Sequence, residues 1–216
     1  MANLNSYIYS MENMVKEAAL KYNWVSPQEY LQAERLSEEK HEYFDGEVIE
    51  MNGASLKHED IVSNIIRGIG NKLTGKDCRI RASNLRMASP FFKSFMYPDS
   101  TIVCGEAQLS DDNFDVLQNP IVAFEVFSKS SMGNDFGRKF MYYKQIPSLQ
   151  EYVLIDSFQK IEVHIYRRNP DNTWTLQTYN KPEDSLVFRS VSISILLSDI
   201  YENITFEPLK DEEGLI

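Results

Sequence analysis

Apolar residues recur at three- and four-residue spacing through residues 58–73. Ile61, Val62, Ile65, Ile66, Ile69 and Leu73 fall on one stripe, which predicts a helix with Gly75 as its stop. Upstream, Ser26-Pro27-Gln28-Glu29 combines a cap, a first-turn proline and a capping-box acid, predicting a short helix through Leu31. Residues 43–51 alternate around Asp45-Gly46 and predict a hairpin. Strands are predicted over 79–87, 95–103 and 121–127, the last two separated by an acidic loop around Asp111. Residues 134–145 predict a second helix ended by Pro147. A strand pair over 152–155 and 161–166, a strand over 174–179 and a closing segment over 191–200 complete the chain. Strands, then a helix, then strands again imply an α/β (α+β) protein. Its sheet would be mixed and flanked by helices, not doubly wound and parallel.

A length of 216 residues fits one such domain over 26–205, with an N-terminal extension over 1–25 and an acidic tail over 206–216. No stretch approaches the ~18 apolar residues of a membrane span. The N-terminus lacks the basic start and apolar core of a signal peptide. Cys78 and Cys104 are too few and too scattered for a disulfide framework or a zinc cluster, so a reducing cytoplasm is the default compartment. A net charge of −10 argues against indiscriminate nucleic-acid binding. The charge is uneven, however. Arg67, Lys72, Lys76, Arg79, Arg81, Arg86 and Lys93 follow one another with Asp77 as the single anion among them. Such a segment is either a local phosphate-binding face or a solvated helix end and strand surface.

Two acids stand out against their surroundings. Asp99 follows Pro98 at the head of the run Ser100-Thr101-Ile102-Val103, and Glu125 sits inside Ile121-Val122-Ala123-Phe124-Glu125-Val126-Phe127. An acid among Val, Ile and Phe is costly unless it is paired or binds a metal. Two of them on neighbouring strands suit a hard divalent cation held through oxygen. With Lys139 on the following helix, the parts for metal-assisted phosphodiester hydrolysis are present.

Pro98-Asp99, Glu125-Val126-Phe127-Ser128, Asp135 with Lys139, and Glu151-Tyr152-Val153-Leu154-Ile155-Asp156 together resemble the Uma-type family of restriction endonucleases, a branch of the PD-(D/E)xK nuclease superfamily. The N-terminal half is similar too, from Glu42-Tyr43-Phe44-Asp45-Gly46-Glu47-Val48-Ile49-Glu50-Met51 to His58 opening a helix. The resemblance covers residues 26–200 and rests on the order and spacing of motifs that are individually weak. It implies a restriction-endonuclease-like fold with Asp99 and Glu125 on adjacent strands. The two carboxylates and the Val126 carbonyl would ligate Mg2+, with Mn2+ as an alternative.

The superfamily's usual lysine falls two residues after the second acid, and Phe127 stands there. Residues i and i+2 share a strand face, so Phe127 points where that lysine would point. The resemblance implies a rewired site with Lys139 arriving from the helix, and Lys129 as the other candidate. Read without it, Asp135 and Lys139 are an ordinary surface ion pair at i, i+4. Glu42 would be an additional metal or water ligand, or else an exposed strand acid. His58 would contact phosphate or the attacking water, or else cap a helix. His41 and His164 match no motif, and Tyr142-Tyr143 reads as core or dimer surface. Ser100 and Lys129 depart from the family pattern, which usually has a small aliphatic residue and a proline there. The implied function is a Mg2+-dependent endonuclease acting on double-stranded DNA as a homodimer, with Arg67, Lys72, Arg79, Arg81 and Arg86 facing the nucleic acid. The alternatives are a catalytically silent binding module of the same fold, and a nuclease acting on RNA or single strands.

Overall fold

The computed structural model describes residues 24–51, 53–82, 84–110 and 115–207. Most of the expected N-terminal extension, the acidic tail from residue 208, and Asp111 and Asp112 lie outside these residues.

The first helix, α1 (Pro27–Glu34), starts as the capping box predicts: Ser26 and Glu29 exchange side-chain-to-backbone hydrogen bonds. It runs a turn beyond Leu31, because Tyr30 and Glu34 are both buried against the first strands. Strands β1 (His41–Phe44) and β2 (Glu47–Glu50) form the predicted hairpin. Asp45 and Gly46 both have positive φ, 49° and 102°, as a tight two-residue turn requires. A side chain at position 46 would also run into the Trp24 indole, 1.9 Å from where its Cβ would lie. The long amphipathic helix α2 (Leu56–Lys72) begins slightly earlier than its apolar stripe, since Ser55 caps it by accepting the His58 N–H.

Two predicted strands are each divided between two sheets. Residues 79–87 become β3 (Cys78–Ala82) and β4 (Arg86–Ala88), with a turn at Asn84 closed on the Ala82 carbonyl. Residues 95–103 become β5 (Ser94–Met96) and β6 (Ser100–Cys104). The second break falls at Pro98, which has no N–H to give to a ladder.

The remaining strands are β7 (Val116–Leu117), β8 (Val122–Phe127), β9 (Glu151–Asp156), β10 (Val163–Arg168) and β11 (Trp174–Tyr179). The closing segment over 191–200 resolves into β13 (Ile193–Leu196) and a short helix that we number α4 (Leu197–Ile200); an unpredicted strand before it, β12 (Ser185–Phe188), pairs with β13 as a hairpin. The helix predicted over 134–145 opens with a π-helical turn, Asn134–Lys139, and continues as an α-helical turn, Phe140–Tyr143; together they are α3.

The large sheet has the order β11-β10-β9-β8-β6-β3 and is mixed, with β8 and β9 parallel and the other neighbours antiparallel. The small sheet has the order β2-β1-β5-β4-β7. Side chains alternate across β8, so Val122, Phe124 and Val126 face one way and Ala123, Glu125 and Phe127 the other. Against the first face pack Ile61, Ile65 and Ile69 of α2, with Phe188, Ile195 and Leu197 of the closing hairpin and α4. Each fully buried isoleucine contributes about 1.5–3 kcal/mol of apolar transfer. Against the second face pack Phe44, Met87, Met96 and Leu117 of the small sheet and Tyr143 of α3. Tyr30 and Val25 cover part of the small sheet's outer side together with Tyr43 and Phe95.

Cys78 and Cys104 do not remain apart, as their sequence separation suggested. They are directly opposed on β3 and β6 and form a disulfide.

Candidate active site at the seam of the two sheets

Asp99 sits where the chain passes from the small sheet to the large one. Its backbone N–H donates to the Phe124 carbonyl at 3.0 Å, although Ser100 is already paired with Phe124, so two consecutive residues face that one position of β8. Asp99 lies beside Glu125 without being its register partner: its side chain reaches Val126, the next residue of β8, and its charge acts on the Glu125 carboxyl. Beyond this point β6 no longer flanks β8, which leaves the Val126 N–H without a strand partner. Asp99 Oδ2 accepts that N–H at 2.6 Å and also lies 3.2 Å from His58 Nε2 at the start of α2. By strand alternation the Val126 carbonyl projects to the same vacated side.

Glu125 is buried among apolar neighbours and is met by a cation from α3. Lys139 Nζ lies 3.2 Å from Glu125 Oε1, 2.9 Å from Glu42 Oε1 and 3.4 Å from Asp135 Oδ1. All four of these residues are at most 5% exposed, so this is an internal ion cluster and not a surface pair. Glu42 comes from β1 of the small sheet and also accepts the Tyr97 backbone N–H at 3.2 Å.

The charges shape one another. Burial pushes the Glu125 carboxyl well above the usual carboxylate range; Lys139 opposes this, while Asp135, Asp99 and Glu42 reinforce it. Burial raises Glu42 likewise, against the pull of Lys139. Burial alone would lower the Lys139 ammonium, but Glu125, Glu42 and Asp135 outweigh it and hold it well above the ordinary lysine value. Burial also lowers His58, and the hydrogen bond and charge of Asp99 overcome that and raise it. His58 Nδ1 is buried and faces Glu59 Oε1 at 3.5 Å.

No group of three or more His, Cys, Asp or Glu side chains among the described residues is arranged to hold a metal ion. The donor set expected from sequence is different, two carboxylates and one main-chain carbonyl, and the arrangement fits a hard dication on two counts. Four carboxyl groups (Glu42, Asp99, Glu125, Asp135) converge on one ammonium and one imidazole, a site rich in the oxygen donors a hard cation takes. Asp99 and Glu125 also keep one oxygen each, Oδ1 and Oε2, to which no described residue donates a hydrogen bond.

The basic segment does not form one surface. Arg79 and Arg81 lie opposite Val103 and Thr101, and Thr101 lies opposite Ala123. Both arginines therefore share the sheet face of Glu125, exposed on the edge strand β3. Arg67 and Lys72 belong to α2, which covers the opposite face; Arg67 is paired with Glu202. Arg86 is only 4% exposed and is paired with Asp115, so it is not part of a solvent-facing basic patch. Lys129 lies in the exposed turn after β8, while Lys139 is the lysine beside Glu125. Phe127 shares Glu125's face and packs its ring against Phe136 and Phe158, with centroids 5.2 and 6.1 Å away.

Sequence reasoning missed Tyr143 as a site residue. Its hydroxyl donates to Glu125 Oε1 at 2.6 Å. A signal was available: Asp135, Lys139 and Tyr143 are spaced i, i+4, i+8, one stripe of a helix that brings a known candidate to Glu125. Tyr97 was also missed, because its contribution is a backbone N–H that no side-chain motif records.

Two uncharacterised proteins of Synechocystis sp. (strain ATCC 27184 / PCC 6803 / Kazusa) resemble this chain. Slr1290 is 34% identical over 182 residues, 84% of this chain and 94% of its own length. Sll1609 is 35% identical over 148 residues, 68% of this chain and 83% of its own. Among solved structures, a "putative nuclease belonging to DUF820" from Anabaena variabilis ATCC 29413 superposes with a TM-score of 0.67 at 18% identity. That superposition covers 82% of this chain and 97% of the other, and it shows the shared fold. The sequence profile of the Uma2 family, described as "Putative restriction endonuclease", matches residues 27–196. Over that span the Asp99–Glu125 pair, Lys139 and Glu42 all fall within the match, and the chain belongs to the Uma2 family.

Proposed function

We propose that this protein is a Mg2+-dependent endonuclease that hydrolyses phosphodiester bonds in DNA. The observation that carries the reading is the placement of Asp99 against Val126, the residue after Glu125, with Lys139 delivered from α3 onto the second acid. Asp99 Oδ1, Glu125 Oε2 and the Val126 carbonyl are the groups that would hold Mg2+, with Mn2+ as a substitute. A dication bound there supplies a Lewis acid for a phosphoryl oxygen and a more acidic water.

The protein's own residues do the rest. Lys139, held charged by three carboxylates, orients the attacking water and offers positive charge where negative charge builds on phosphorus. Glu42 anchors that ammonium from the small sheet. His58, bonded to Asp99 Oδ2 through Nε2 and facing Glu59 through its buried Nδ1, holds the first acid in place. Arg79 and Arg81, on the edge of the same face, suit the backbone phosphates of the substrate. Cleavage of both strands of a duplex suits a two-fold dimer.

The test is nicking of a supercoiled plasmid by purified protein with Mg2+ against EDTA. Asp99→Ala and Glu125→Ala should each abolish the nicking. A second reading is favoured by one observation: Lys139 already fills the centre of the carboxylate cluster, as it would in a silent binding module of this fold. DNA bound without any Mg2+-dependent cleavage would select that reading, and cleavage confined to RNA or single strands would change the substrate.

A further inference from the structure

Tyr143 is wholly buried and its hydroxyl has one acceptor, Glu125 Oε1 at 2.6 Å. The same oxygen faces Lys139 at 3.2 Å. The ring is fixed from behind by Tyr152, 4.7 Å away between centroids, and the Tyr152 hydroxyl donates to the main-chain oxygen of Asp135 at 3.0 Å. Two donors thus converge on one oxygen of Glu125. Asp99 shows the same asymmetry, with the Val126 N–H and His58 both on Oδ2. Each acid is gripped by one oxygen and offers the other.

Lys139 alone cannot grip Glu125 in this way. Its ammonium is shared with Glu42, which is nearer at 2.9 Å, and with Asp135 at 3.4 Å. Without the phenol, the Glu125 carboxylate is free to turn about its terminal bond and to present either oxygen to the ammonium. We infer that Tyr143 is a positioning residue for the metal: it holds Oε1 so that Oε2 is the oxygen presented to the dication. This inference rests on the two-carboxylate reading above and deepens it by a residue that touches neither substrate nor metal.

The test is the affinity of the full chain for Mn2+, followed by electron paramagnetic resonance of the free ion, alongside cleavage measured across a range of metal concentrations. Tyr143→Phe removes the hydroxyl and keeps the ring, and Lys139 still faces Oε1. Partners that orient a metal ligand typically contribute ten- to a hundred-fold in metal affinity. Mn2+ binding should therefore weaken by roughly that factor, with cleavage recovered toward the wild-type rate at saturating metal. Tyr143→4-aminophenylalanine keeps both the shape and a donor and should bind Mn2+ within about two-fold of wild type. This variant keeps the test decisive even where the Phe variant does not fold. Unchanged Mn2+ affinity in a folded Phe variant overturns the inference, as does weakened affinity in a folded amine variant; either leaves the two-carboxylate site standing. A wild-type chain that binds no Mn2+ overturns that site itself, and this inference with it.

Discussion

Lys139 Nζ reaches Glu125 Oε1 at 3.2 Å across a sequence separation of 14 residues, although Phe127, two residues from Glu125, shares its strand face. The cation therefore comes from the helix, while the strand position is filled by an aromatic ring. Lys139→Ala should lower turnover roughly a hundred- to thousand-fold, as expected for loss of a charge aimed at the transition state. It should also destabilise the fold by about 3–5 kcal/mol, because three buried carboxylates lose their partner. Single-turnover cleavage and denaturant melts separate the two effects. Wild-type cleavage by a folded Lys139→Ala protein would return the role to Lys129.

Moving the cation back to the strand is the complementary experiment. Phe127→Lys in the Lys139→Ala background should recover part of the lost rate. Recovery should be incomplete, since the new lysine replaces a ring packed on Phe136 and Phe158. A double variant that is folded yet no faster than Lys139→Ala would show that the two positions do not serve one site.

The two arginines Arg81 and Arg86 should behave differently despite their closeness in sequence. Arg81→Glu should weaken nucleic-acid binding across sequences and reduce the salt dependence, the log–log slope falling by about one. Arg86→Glu should instead lower the melting temperature, because it sets a second acid beside Asp115 in a buried pocket. Binding isotherms at several salt concentrations and a melt of each variant decide the matter.

How far the sequence alone could reach is plain from particular residues. The α2 stripe and the Asp45-Gly46 turn are readable because the signal is local and periodic. The division of residues 95–103 between two sheets is not, since both halves have the composition of strand and only their partners differ. The Asp99–Glu125 pair is foreseeable from an acid in an apolar run. Lys139 is not foreseeable from pattern, because an i, i+4 acid–lysine pair looks the same whether it faces water or a core. The family resemblance points to it. Cys78 and Cys104 look scattered until the β3–β6 register is known.

That disulfide makes a further prediction. It closes a loop with a sequence separation of 26 residues, for which chain-entropy arguments give about 3–4 kcal/mol of stabilisation. Reductant, or Cys78→Ser with Cys104→Ser, should lower the denaturant midpoint accordingly. Mass spectrometry after alkylation should find two modified thiols only after reduction. Free thiols in the untreated, air-exposed protein would contradict the bond.

Asp115 should contribute to the loss of stability in acid. Its hydrogen bond from Arg35, opposed by burial and joined by the charge of Arg86, holds its carboxyl below the ordinary aspartate value. A depressed folded pKa contributes stability that is present above the unfolded value and is lost as pH falls through the folded one. Melting temperature should therefore drop below about pH 4 in the wild type. Asp115→Asn should be less stable at neutral pH and show a shallower drop. Identical acid profiles would remove Asp115 from the account.

Glu42 and Glu125 reach Lys139 from different sheets, and the chain itself crosses between those sheets one residue before Asp99. The ammonium thus acts as a clasp, closed only while the two sheets are docked. For the proposed site, catalytic competence and inter-sheet docking would be one equilibrium: a chain with each sheet intact but the seam open would have all its residues and no site. Loosening substitutions at the seam, even far from any phosphate, would then appear in kinetics as a reduced fraction of working molecules, each still turning over at full speed.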